Sequence, residues 1–134
     1  MKGRFVLSAD VEREQLDWGL RGWFSRPTRT EADTLSLVEV KLEPGHGHTF
    51  HRHPNQEEIV YVLEGELEHW IETQKRTLRA GDSAFMKRGT VHASFNVSSK
   101  PAKSLAIVGP CRDIGDDGYE VIEVAGEAPW NTLR

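Results

Sequence analysis

The chain has 134 residues, with 17 Lys and Arg, 21 Asp and Glu, and a formal net charge of -4. That length favours one domain and buries a core without disulfide staples. Scattered basic residues on a mildly acidic chain count against nucleic acid as a main partner. Cys111 is the only cysteine, so a disulfide framework within the chain is excluded, and the residue is expected to act as a small hydrophobe in a reducing compartment. No apolar run is long enough to span a bilayer, and Met1 to Arg4 are not followed by the long apolar core of a secretory signal. A cytoplasmic address without membrane contact is the resulting expectation.

In chain order, Val11 to Trp18 is the best helical stretch, although it lacks three turns of clear periodicity. Leu35 to Leu42 alternates, with Leu35, Leu37 and Glu39 on one side and Ser36, Val38, Val40 and Leu42 on the other. Ile59 to Leu63 is an apolar run too short for a helix and rich in β-formers. Glu66 to Thr73, Ser83 to Met86, Val91 to Val97 and Ser104 to Val108 also read as strands, with Tyr119 to Val124 a last candidate. Pro44-Gly45, Glu64-Gly65, Ala80-Gly81, Arg88-Gly89 and Gly109-Pro110 punctuate them as turns. Many short strands between regular turns predict an all-β sandwich or closed barrel. The core is expected at about residues 34–110, with N- and C-terminal extensions.

Four of the six histidines, His46, His48, His51 and His53, fall close together. In a strand, residues i and i+2 share a face, so His51 and His53 project together. Glu58 opens the next apolar strand and shares its face with Val60 and Val62, while Glu57 is the rival carboxylate on the opposite face. Two imidazoles and a carboxylate suit a transition metal; a solvated polar strand is the alternative reading. His46, His48 and His69 are expected to be solvated or hydrogen-bonded.

The spacing of these residues resembles the cupin family. Gly45, five residues, His51-Arg52-His53, four residues, Glu58, six residues and Gly65 is similar to the first cupin motif. Gly81, five residues, Lys87-Arg88-Gly89, two residues, His92, three residues and Asn96 is similar to the second, with Lys87 where the family has proline. The resemblance implies a double-stranded β-helix, a jelly-roll-like barrel with a metal inside. It implies His51, His53, Glu58 and His92 as ligands of one divalent transition metal such as Fe, Mn, Ni or Zn. Asn96 shares the strand face of His92 and is expected to orient a ligand.

Three neutral imidazoles and one carboxylate leave a divalent ion with positions open to a small molecule. Cupin relatives include dioxygenases, decarboxylases and isomerases, so a small-molecule metalloenzyme is the leading expectation. A non-catalytic barrel that binds or senses a small ligand is the alternative. No further catalytic group is evident. Phe50, Tyr61, Trp70, Phe85, Phe95 and Met86 are expected to pack between sheets or at a subunit interface, and Arg52 and Arg88 to lie on the surface. Trp18, Trp23 and Trp130 are candidates for exposed apolar surface, and the resemblance implies a homodimer.

Overall fold

The computed structural model describes residues 1–134. Eleven strands form two antiparallel sheets that face each other. In chain order they are β1 (Arg13–Leu16), β2 (Gly19–Ser25), β3 (Ser36–Leu42), β4 (Gly47–Arg52), β5 (Glu57–Glu64), β6 (Glu66–Ile71), β7 (Gln74–Arg79), β8 (Ser83–Met86), β9 (His92–Phe95), β10 (Ala102–Gly109) and β11 (Ile122–Glu123). One sheet runs β1-β2-β3-β10-β5-β8 and the other β11-β4-β9-β6-β7. The only α-helix is the short α1 (Pro27–Thr30), and no helix is long and apolar enough to cross a membrane.

Alternation decides which side chains enter the barrel. In β5, Glu58, Val60 and Val62 are buried while Glu57, Ile59, Tyr61 and Leu63 face out. β10 repeats the pattern, with Ala102, Ser104, Ala106 and Val108 turned inward. The inner faces of the first sheet build one cluster from Trp23, Val38, Val60, Met86 and Val108. A second, around Leu42, Val62, Leu67 and Ala102, closes the far end. Each fully buried side chain of this kind contributes about 1.5–3 kcal/mol. A third cluster lies outside the second sheet, where Phe50, Trp70 and Ala93 are covered by Val124, Trp130 and Leu133 of the C-terminal segment.

The expected turns form where glycine permits them. Gly65 joins β5 to β6 at φ +73, and a Cβ there would meet the Pro101 carbonyl oxygen at 2.6 Å. Both the backbone angle and the close approach require glycine. Lys87, where the family has proline, does not open its turn: Thr90 N–H donates to Lys87 O at 3.1 Å and Gly89 takes φ +75.

One expectation is corrected. Val11 to Trp18 is not helical: β1 and β2 form a hairpin, pairing Glu14 with Arg21 and Gln15 with Leu20. Long-range pairing of β2 with β3 outweighs the weak local helical preference. The N- and C-terminal extensions contribute β1 and β2 to one sheet and β11 to the other. β7 was not evident in the sequence, since Gln74–Arg79 is almost wholly exposed and lacks alternation.

Candidate metal centre

Both sheets contribute to one interior point. β4 and β9 are paired so that His51 lies opposite His92, and His53 follows at the end of β4. The His53 carbonyl accepts the Gly89 N–H at 2.9 Å, tying that strand end to the turn before His92. Glu58 arrives from β5 of the facing sheet. One ligand-type atom from each of His51, His53, Glu58 and His92 lies within 4.8 Å of the others. All four residues are buried. Glu57, the rival carboxylate, is exposed.

Backbone carbonyls set the tautomers. Nδ1 of His51 donates to Thr49 O at 2.6 Å, Nδ1 of His53 to Glu120 O at 2.7 Å and Nδ1 of His92 to Thr90 O at 2.9 Å. A carbonyl only accepts, so Nδ1 carries a proton in each ring and Nε2 is the nitrogen that faces the interior. His53 Nε2 lies 2.8 Å from Glu58 Oε1, yet it has no hydrogen-bond partner. A buried lone pair held against a carboxylate oxygen is repulsive until a cation lies between them. The donor set therefore fits a divalent transition ion.

The electrostatics agree. Burial, reinforced by His48, His92 and His53, holds the His51 imidazole well below its usual value, so it is neutral and ligand-competent. Burial alone would raise the Glu58 carboxyl, but His92 and His53 outweigh it and keep the group well below the carboxylate range. Burial lowers His92, but the charge and hydrogen bond of Glu58 prevail and raise it. Without a cation, His92 therefore shares a proton with Glu58 across 2.9 Å, and an incoming ion must displace that proton.

The cluster opens on a small, partly open cavity of about 60 Å3. Its apolar floor includes Val38, Val60 and Val108, and its walls carry Trp18, Arg21, Trp23 and Tyr119. Burial, aided by Glu58, raises the Tyr119 phenol, so it stays protonated. These wall residues were missed in the sequence because they flank the two motifs at a distance. The only available hint was the i, i+2 spacing of Arg21 and Trp23. Of the side chains expected to pack, Phe50, Trp70 and Phe95 do so outside the second sheet and Met86 in the core, whereas Tyr61 and Phe85 stand exposed on the outer face of the first sheet. Trp18 and Trp23 line the cavity and Trp130 packs under the C-terminal segment, so none of the three supplies an exposed patch.

Histidines outside the motif divide. His46 is exposed. His69 is buried and its Nδ1 pairs with Ser94 Oγ at 2.7 Å. His48 is hydrogen-bonded rather than solvated. It stacks between Trp18 (4.3 Å between centroids) and His51 (3.6 Å), and its Nε2 meets Glu123 Oε1 at 2.9 Å. Glu123 is the carboxylate partner that was not visible nearby in sequence. His51 belongs to both this trio and the main cluster. With its Nδ1 committed to Thr49, it has one lone pair to give, so a single ion uses it.

Asn96 is a correction. Its amide donates to Leu42 O at 2.9 Å and Lys100 O at 2.7 Å, and its Oδ1 accepts from Ser98. It fixes the β9–β10 loop and orients no ligand. The residue that does position one is Gln56, which is 1 % exposed. Its amide holds Pro110 O at 2.9 Å and Gly118 O at 2.8 Å, while its Oε1 accepts from Glu120 N–H at 3.0 Å. It thereby fixes Glu120, whose carbonyl orients His53.

Fold and site together define a double-sheet β-barrel with a buried three-histidine, one-glutamate cluster suited to metal. The chain belongs to the cupin family: the Cupin_2 model, a cupin domain, matches residues 38–108. It is 30% identical over 89 residues to the pectin degradation protein KdgF of Dickeya dadantii, covering 66% of this chain and 77% of that protein. It is 37% identical over 78 residues to germin-like protein subfamily 2 member 2 of Arabidopsis thaliana, where the match spans 54% of this chain but only 36% of the relative. Among solved structures, KdgF from Halomonas sp. superposes with a TM-score of 0.74 at 24% identity, covering 84% of this chain and 97% of that one. A variant of Bacillus subtilis oxalate decarboxylase OxdC gives 0.69 at 20% identity, covering 84% of this chain and 30% of that enzyme. Mn(II) centres are described for the Bacillus subtilis oxalate decarboxylase.

Proposed function

We propose that this protein is a metal-dependent enzyme acting on a small molecule held in the barrel cavity, with chemistry of the decarboxylase, isomerase or dioxygenase kind. One observation carries the reading: the unpartnered His53 Nε2 stands 2.8 Å from Glu58 Oε1 inside a cluster that borders a cavity. His51, His53, Glu58 and His92 would hold Fe, Mn, Ni or Zn. Such an ion supplies Lewis acidity and a lowered pKa for bound water. The chain's own residues bind and orient the substrate: Trp18 and Trp23 wall the cavity, Tyr119 offers a phenolic proton, and the apolar floor limits water. The likeness to KdgF and to oxalate decarboxylase supports a small organic acid or sugar acid as the first substrates to screen.

The test is metal content by mass spectrometry, with a His51→Ala, His92→Ala double variant beside the parent. Near-stoichiometric metal in the parent and loss in the variant is the expected result, followed by turnover of at least one substrate in a panel of keto acids, β-diketones and uronates. Metal absent from the parent even after reconstitution overturns the reading. Bound metal without turnover across the panel returns the protein to a ligand-binding role.

The same reading includes a homodimer and, on the lone buried Cys111, a reducing cytoplasmic setting. The dimer rests on the outer face of the first sheet, where Ile59, Tyr61, Leu63 and Phe85 are all exposed. Register places Ile59 beside both Phe85 and Ile107, and Tyr61 beside Leu105, so the apolar residues are contiguous.

A further inference from the structure

Among the cavity's wall residues, most polar groups are already engaged. His48 is held by Glu123 and Ser94 by His69. Arg21 is the only Lys or Arg lining the space. Its Nε and one Nη reach the same Glu14 oxygen, at 2.8 and 2.6 Å. Its guanidinium carbon lies 5.6 Å from the Trp23 ring and 5.8 Å from the Tyr119 ring. Glu14 and the two rings thus fix the guanidinium and leave its other Nη without a partner in the chain. Tyr119, which lines the same cavity, carries a hydroxyl as a second donor.

The charges around the space reinforce this. A divalent ion with Glu58 leaves one positive charge, and Arg21 with Glu14 is neutral. Glu123 lies at the rim with 55% of its side chain exposed, where solvent screens it. The loaded cavity therefore accommodates one negative charge. Its donors are planar or fixed, and its remaining walls are aromatic or aliphatic.

We propose that the cavity takes a small monocarboxylate with a flat apolar body, and that Arg21, oriented by Glu14 and joined by the Tyr119 hydroxyl as a second donor, is the residue that selects the carboxylate. This deepens the proposed function and rests on that reading in taking the cavity beside the metal cluster as the binding site. The free Nη of Arg21 and the Tyr119 hydroxyl offer two donors to the two oxygens of a carboxylate, whereas an amide offers one acceptor and repels them with its N–H groups.

The probes are benzoate and its neutral isostere benzamide, titrated calorimetrically into metal-loaded and chelator-treated protein. Benzoate is expected to bind the parent at least about tenfold more tightly than benzamide. Arg21→Met keeps the aliphatic stem against Trp23 and is expected to weaken benzoate by about tenfold to a hundredfold, with benzamide and metal content unchanged. Should Arg21→Met not fold, Arg21→Lys and Tyr119→Phe carry the test. Each is expected to retain metal and to weaken benzoate by about threefold or more, since each loses donor geometry while the cavity walls remain. Benzoate bound equally by the parent and the Arg21 variants, or by none of them, overturns the proposal while leaving the metal centre standing. Arg21-dependent benzoate binding in a protein that takes up no metal supports the proposal and removes the metal reading instead.

Discussion

His69 illustrates how one buried side chain couples stability to acidity. Burial, with His92 nearby, lowers its imidazole to about 4 from the ordinary 6.5, and its Nε2 has no partner. The unfolded chain therefore binds a proton that the folded chain refuses between those values. Stability contributed by the neutral form is present above pH 6.5 and is lost as pH falls toward 4. Between pH 7 and pH 4.5 this amounts to about 2 kcal/mol. In metal-free protein, denaturant melts at the two pH values should show a decline that His69→Gln reduces by about that amount. The lost bond to Ser94 lowers stability equally at both pH values, so the change in slope isolates the titration. An unchanged slope would place the acid sensitivity elsewhere.

At the scale of elements, the site depends on a loop. Residues Gly118 to Glu120 supply the Tyr119 wall and the carbonyl that orients His53, and Gln56 holds them from the β4–β5 turn. Asp117 adds an anchor by pairing with Arg26 at 3.0 Å and accepting from Thr28 N–H at 3.0 Å. Gln56→Leu would leave the Pro110 and Gly118 carbonyls and the Glu120 N–H without their partner. It should cost about 1–3 kcal/mol for each group that stays buried and dry. It should also weaken metal affinity by about tenfold to a hundredfold through His53. Chemical denaturation and a competitive chelator titration read these separately; unaltered metal affinity would show that His53 is oriented without the loop. The element-scale pattern of β5 was legible, since the spacing to Gly65 favoured Glu58 and alternation put Glu57 on the opposite face. The hairpin of β1 and β2 was not, because its strands are half exposed and set by pairing with β3.

For the molecule as a whole, the outer face of the first sheet carries the prediction. Phe85 is 50% exposed there. A second copy of the chain covering this face would remove it from water. Light scattering at micromolar concentration should give a dimer, and Tyr61→Glu with Phe85→Glu should shift it to monomer with metal content retained. The charges would sit opposite one another at a two-fold contact and repel. A parent that scatters as a monomer refutes the dimer.

The sequence by itself determined most of the strand pattern from Leu35 to Val108, β7 excepted, the turns at Gly65 and Gly89, and four residues with the chemistry of a metal site. Alternation and positive-φ glycine positions are local, so they can be read along the chain. Only the tertiary structure decided what surrounds that site. Arg21, Tyr119 and Glu123 come from both ends of the chain, Gln56 acts through carbonyls more than fifty residues away, and Asn96 proved to hold a loop. Such contacts depend on which strands pair and which segments fold over them, and no local pattern encodes that.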